Sequence, residues 1–390
     1  MMMGNGGPVG LMDDGDRLFA ALRNGDRDGY LTVLAGINVF MPSPRAQGDE
    51  VLAGTETGTG HVTYRENGAV CIDVSTDASL TQPCRPDVFY RWLMWDRAVR
   101  ILEEHKFKWT MVVNRGTYME FRITVPEAAK WLNRHPRAVK TWEELVTQVR
   151  FTRAEALDGP LARALACGAH LSYTNCMPWN SMMGEYVHYV ARALSIRESW
   201  GIYSARDWRR QVDALLNTQR YEIVDVLLAL RRKAVADGAQ PADPTLLSRL
   251  AEEWCAANSA DPSTAAEMYD VAHWVGMCES WLRRDNVLPA DGVVWTQAVW
   301  DLGRAVNMAR WGMQCGYCDR PTAEQIVLRA GQLCAETYSN WHELSTAYLL
   351  GRVIKMGRQD DVQACYAESL KTHLALANAE TSPFRLLSLH

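Results

Sequence analysis

The chain has 390 residues, 48% hydrophobic and 22% charged, with a formal net charge of −5. One core rarely serves so long a chain, so the composition points to a folded protein of about two domains and excludes a disordered one. Lys and Arg are dispersed without long runs, so the clustered cations of a nucleic-acid surface are missing.

The opening MMMGNGGPVGLMDDGD has neither the basic nor the apolar region of a signal peptide. No uninterrupted apolar stretch reaches the roughly 18 residues of a membrane span. The ten Cys are scattered and read as reduced thiols. A cytoplasmic location, without nucleic acid or membrane as partner, is the expectation. Fifteen Trp is a high count, and each buried indole asks for a hydrogen-bond partner.

In chain order, residues 1–12 read as a disordered tail. A helix starts near Asp13 or Asp14, with Leu18, Phe19 and Leu22 on its apolar face. Ile37–Phe40 is strand-like and should be halted by Met41-Pro42. Gln47–Gly60 reads as a loop. His61–Arg65 and Ala69–Val74 flank Asn67-Gly68, a pair suited to a tight hairpin turn. Pro86 to His105 looks helical. Trp109–Val113 and Tyr118–Ile123 flank a second turn at Asn114–Thr117. Residues 13–135 are therefore expected to be an α+β domain with a small mixed or antiparallel sheet.

Residues 136–390 are expected to be an all-α domain. Thr141-x-x-Glu144 and Asn340-x-x-Glu343 fit capping boxes, as does Thr322-x-x-Gln325 with Pro321 before it. Asp243-Pro244 and Asp261-Pro262 place a carboxylate ahead of a first-turn proline, and Ser204 is a further cap. Trp295, Val299, Leu302, Val306, Ala309 and Met313 step by four and three, marking one buried stripe on a long helix.

Most motifs with chemical promise fail on spacing. Asn24-x-Asp26-x-Asp28-Gly29 opens like a calcium loop, but Ala35 stands where the bidentate Glu belongs, so a helix-to-helix turn is expected. Cys315-x-x-Cys318 lacks two further zinc ligands and the strand-before, helix-after setting of a redox motif. His342-Glu343 has no second zincin His, and the Gly-rich stretches lack a phosphate-binding context. His188 and His273 have apolar neighbours and read as core or interface histidines. No catalytic, cofactor-binding or metal-ligating residue is assigned, and no cofactor is expected.

One cluster stands out. Trp300, Arg304, Asn307 and Trp311 share a helix face apart from the apolar stripe, and Asp301 can pair with Arg304 at i,i+3. The next helix, opened by Ser339–Glu343, brings Trp341, His342, Tyr348 and Arg352. Two readings compete: a buried polar network in which Asp301, Arg304 and Arg352 neutralise one another, or a polar cleft for an anionic ligand or a peptide.

The same residues carry a resemblance. Trp300–Ala305, Ala309–Gly312, Gly316-Tyr317, Tyr338–Trp341 and Tyr348–Arg352 resemble the bacterial domain of unknown function 1266, as do Ser199–Ile202 and Ser204–Arg206. Together they cover about residues 150–360. The first domain is similar to the SseB N-terminal domain through Leu18–Leu22, Val39–Pro42, Met111–Gly116 and Glu120–Arg122. Neither resemblance brings an activity. Together they imply a bacterial accessory protein: a non-catalytic protein-binding module, either an immunity-type inhibitor or an adaptor for secretion or stress response. Its partner would then be a basic toxin or a secretion component. The alternative is an enzyme or small-molecule sensor using the Asp301/Arg304/Arg352 cleft. A homo-oligomer built through exposed Trp or Met is a third reading.

Overall fold

The computed structural model describes residues 11–81, 85–145, 147–217, 222–357 and 361–390. Residues 1–10 of the expected tail lie outside it, while the Leu11 carbonyl accepts a hydrogen bond from Arg153. The first part runs α1 (Asp14–Arg23), α2 (Arg27–Ala35), β1 (Asn38–Pro44), α3 (Arg45–Ala53), β2 (Tyr64–Glu66) and β3 (Ala69–Val74). It continues with β4 (Val88–Met94), α4 (Trp95–Glu104), β5 (Thr110–Val113), β6 (Phe121–Thr124) and α5 (Val125–Arg134).

Beyond this point the described regular elements are all helical, so the expected order of an α+β part before an all-α part holds. They are α6 (Trp142–Leu145), α7 (Pro160–Ala166), α8 (Ala169–Thr174), α9 (Tyr189–Trp200), α10 (Ala205–Leu216) and α11 (Ile223–Ala236). There follow α12 (Leu246–Ala257), α13 (Pro262–Arg284), α14 (Ala298–Gln314), α15 (Arg320–Thr337), α16 (Trp341–Met356), α17 (Val362–Asn378) and α18 (Pro383–Leu386).

One sheet has the order β2-β3-β5-β6, parallel between β3 and β5 and antiparallel outside them. Asn67 (φ 50°) and Gly68 (φ 80°) both take the left-handed backbone that the tight β2–β3 turn requires. A separate antiparallel ladder joins β1 to β4 and touches the first sheet through a Phe40–Ser75 bridge.

The core divides accordingly. One cluster, including Leu34, Trp95, Leu102 and Met111, lies between the sheet and α1, α2, α4 and α5. A larger one runs from Val149 to Leu389 through the helices. A third, small cluster of Phe40, Ala78, Met177, Met183 and Val187 joins the strands to the helical part. There the Tyr90 N–H donates to the Tyr186 carbonyl at 3.0 Å, and the His188 N–H donates to the Tyr90 carbonyl at 2.6 Å.

Several local expectations are corrected. Strand β1 runs through Met41-Pro42 instead of stopping there. The Pro42 carbonyl accepts from Val62 N–H, so that side of Pro42 faces away from β4, and its missing N–H breaks no ladder bond. The expected loop at Gln47–Gly60 is helical up to Ala53, where Gly48 fits against Phe89 and Val190. The expected helix Pro86–His105 is half strand, because pairing with β1 claims Val88–Met94 before α4 begins. Helix α15 is capped by Asp319, which accepts from Thr322 N–H, rather than by Thr322 itself. Asp243 turns the chain onto Thr245 instead of capping α12 directly, whereas Asp261 and Ser204 cap as expected.

The crossing of α10 and α14 depends on Gly312. A Cβ added there would lie 2.2 Å from Trp208 Nε1, the atom that donates to the Met308 carbonyl at 2.8 Å. Gly312→Ala should therefore lower the urea midpoint by the equivalent of about 1–3 kcal/mol, as overpacked cores do. An unchanged midpoint would contradict this close approach.

Candidate functional site

Helix α14 is buried nearly all round, because α10, α15, α16 and α8 pack against it on different sides. Val299, Leu302, Val306, Ala309 and Met313 form the expected apolar stripe, while Trp295 lies before the helix starts. The second face is not a surface. Trp300, Asn307 and Trp311 are buried, and only Asp301 and Arg304 keep about a fifth of their side chains exposed, at 19% and 21%.

Arg304 pairs with Asp301, its Nε donates to the Trp300 carbonyl at 2.9 Å, and its guanidinium lies over the rings of Trp300 (4.5 Å) and Trp200 (5.2 Å). Arg352 does not join this pair, which corrects the expected trio. It faces α17 and bonds Glu368 at 3.1 Å. Tyr348 supplies the link instead. Its ring is 5.3 Å from Trp300 and stacks on His170 at 4.1 Å. Burial pushes its hydroxyl up to about 12, against the opposing pull of Arg352 and Arg304.

The other members of the cluster hold backbone. Asn307 donates to the carbonyls of Gly168 and Gly303, both at 3.0 Å, and so ties α14 to the start of α8. Trp341 donates to the Leu387 carbonyl at 2.8 Å and stacks on Phe384. His342 is exposed, with its ring 5.5 Å from that of His373. His188 is half-buried at the start of α9 and lowered to about 4 by desolvation, with Arg192 adding to the shift, whereas His273 is exposed and not a core residue.

Sequence reading missed a second constellation. Ser345 Oγ lies 2.8 Å from His170 Nε2 and 2.7 Å from His373 Nδ1, and all three residues are buried. They come from α16, α8 and α17, and no spacing within the chain announces them. Burial lowers His373 to about 4 and His170 well below its ordinary value, so both rings are neutral near pH 7. A hydroxyl between two imidazoles is the raw material of an activated nucleophile. Here it is buried, with Tyr348 and Phe384 packed on the His170 ring, and no carboxylate among the described residues bonds either ring to orient it.

Elsewhere, Asp26 caps α2 and Asp28 accepts from Trp131 Nε1 at 2.8 Å, so both carboxylates of the calcium-like stretch hold the fold. The thiols of Cys315 and Cys318 are pushed up to about 12 by burial. A cavity of about 310 Å³ lies beyond the carboxyl ends of β3 and β5, lined by Tyr64, Asp73, Ser75, Asn114 and Arg115 among others. Arg115 lies 4.1 Å over the Tyr64 ring, whose hydroxyl donates to Asp73 at 2.9 Å.

Residues 195–389 match the model of a family described as Protein of unknown function (DUF1266). The match spans half the chain and contains all of α14, α16 and α17. The chain belongs to that family. No curated protein matches the chain, and no solved structure does. The DUF1266 match begins inside α9, so His170, Gly168 and Ser172, which bond its buried helices, precede it.

Two expectations follow. Ser345→Ala strands a nitrogen on each of two buried rings and should cost about 1–3 kcal/mol in chemical denaturation; a loss under a few tenths would show that the relay contributes nothing. Unfolded histidines titrate near 6.5, so a folded value near 4 for His188 and His373 makes stability fall as pH drops between those limits. Asp225, raised to about 6 by burial, gains stability over part of the same range and offsets some of that loss. The drop in melting temperature from pH 7 to pH 5 should shrink in His373→Gln, and a drop of undiminished size would contradict the assignment.

Proposed function

We propose that this DUF1266 protein is a non-catalytic module that acts by binding another protein. The observation that carries the reading is the mutual engagement of the candidate charges: Asp301 with Arg304, Arg352 with Glu368, and Arg304 over two indoles. Groups so committed serve cohesion, since freeing Asp301 or Arg304 leaves a mostly buried partner unpaired.

Surface aromatics give a partner something to bury. Phe19 and Tyr118 stand edge to face 5.0 Å apart, and both are exposed, as is Tyr203. The Trp residues whose side chains are described do not fill that role, because none of them is exposed. The net charge of −5 suits a basic partner. With the SseB-like character of the first part, this favours an immunity-type inhibitor, or an adaptor for secretion or stress response, in a bacterial cytoplasm. Its partner would be a basic toxin or a secretion component.

A second reading, a small-molecule sensor or enzyme at the same cluster, draws support from one feature. Trp300 Nε1, His170 Nδ1 and Arg352 Nε are buried without a hydrogen-bond partner.

Affinity purification of the tagged full chain from its native bacterium should recover one specific protein, and Tyr118→Ala with Phe19→Ala should weaken that recovery. Recovery of the chain alone under several growth conditions would oppose the proposal. Light scattering identifies the case in which the partner is a second copy. Arg304→Met should melt lower than the wild type, and an unchanged melting temperature would count against a cohesive role.

A further inference from the structure

Among the described residues, three arginines and one carboxylate are buried: Arg192, Arg231, Arg310 and Glu279. Arg231 has that carboxylate at 2.9 Å. Neither Arg192 nor Arg310 has any described carboxylate within 4.0 Å. The acid that acts on Arg310 from further away, Glu155, is bonded to Arg320 at 3.0 Å.

The two unpaired cations share one site. Arg310 and Gln314 lie one turn apart on α14 and so face the same way. Arg192, from α9, donates through Nε to Gln314 Oε1 at 3.2 Å. Consecutive residues touch both guanidiniums: Met177 Sδ is 4.0 Å from Arg192 Nη2, and the Pro178 carbonyl is 3.0 Å from Arg310 Nη2. Arg310 Nη1 also donates to Ser172 Oγ at 2.8 Å and weakly to Asn307 Oδ1 at 3.4 Å. All these acceptors are neutral. Arg310 Nε and Gln314 Nε2 are buried and have no acceptor.

Local compensation falls short. The carboxyl end of α14 offers a partial charge of about −0.5. The Trp311 face lies 5.0 Å from the Arg192 guanidinium. Cys315, next to Gln314, cannot serve as an anion, because burial pushes its thiol up to about 12. Two cations therefore stand against roughly half a charge, with further donors unused.

We infer that a small oxyanion, a carboxylate or a phosphate, binds between Arg192 and Arg310, with Gln314 Nε2 as a third donor. Paired guanidinium groups suit the two or more oxygens of such a group. Met177, unbranched and flexible, is the wall that yields to admit it. This site is independent of the protein-binding reading and stands or falls separately.

The test is thermal unfolding of the full chain, titrated with sodium phosphate and with sodium acetate, against sodium chloride at matched ionic strength. A saturable rise in melting temperature is expected with one of the oxyanions, and which of them produces it identifies the ligand class. Arg192→Met should weaken that response at least tenfold while Arg192→Lys retains part of it. In oxyanion-free buffer Arg192→Met should melt no lower than the wild type, because it removes an uncompensated charge. An equal rise with chloride, no saturable rise at all, or a full response in Arg192→Met would overturn the site. So would an Arg192→Met that melts lower by the same margin in both buffers, since that assigns Arg192 to cohesion alone.

Discussion

A helix buried on every side has no solvent face to fix its rotation, and apolar packing alone permits it to slide or turn. Helix α14 is in that position, and a few directional bonds fix its register. Asn307 and Arg310 reach α8 and the turn after it, and Trp208 donates to the Met308 carbonyl. Close contacts at Gly303, where the Cys167 carbonyl approaches, and at Gly312, where the Trp208 ring does, admit only one setting. The placement of α8, α10 and α16, and hence of every polar group in the seam, follows from that setting.

The partly and fully buried polar residues of the helical part divide by how their charge is met. Asp301 and Arg304 are neighbours on one helix and lose little by partial burial, since each carries its counter-charge with it. Arg231 and Glu279 are brought together by α11 and α13, with Val294 N–H donating to the carboxylate at 2.8 Å. The Ser345 relay avoids charge altogether, because burial keeps both imidazoles neutral. Arg192 and Arg310 follow none of these arrangements, which sets them apart from the others.

What could be read from the sequence was what the chain decides locally. Asp261-Pro262 and Ser204 begin helices because side chain and N–H lie within a turn of each other. Asn67-Gly68 needs only its own backbone freedom, and Asp301 meets Arg304 on the same helix. What escaped depends on distant segments. Val88–Met94 became a strand because β1 was there to pair with it, and Arg352 turned to Glu368 because α17 packs on α16. Thr322 and Asp319 both have capping side chains, and the onset of α15 at Arg320 left the role to Asp319. His170, Ser345 and His373 have no common register at all until three helices converge.

The end of the chain is sewn into the start of the helical region. Trp179 donates to the Thr381 carbonyl at 3.0 Å, Thr381 donates to the Val149 carbonyl at 2.6 Å, and Trp341 donates to the Leu387 carbonyl at 2.8 Å. Leu387 and Leu389 belong to the same core cluster as Val149 and Phe151. The core of the helical region is therefore incomplete until residues 381–389 have been made and packed, and up to that moment its first helices keep apolar faces open to any surface that would cover them.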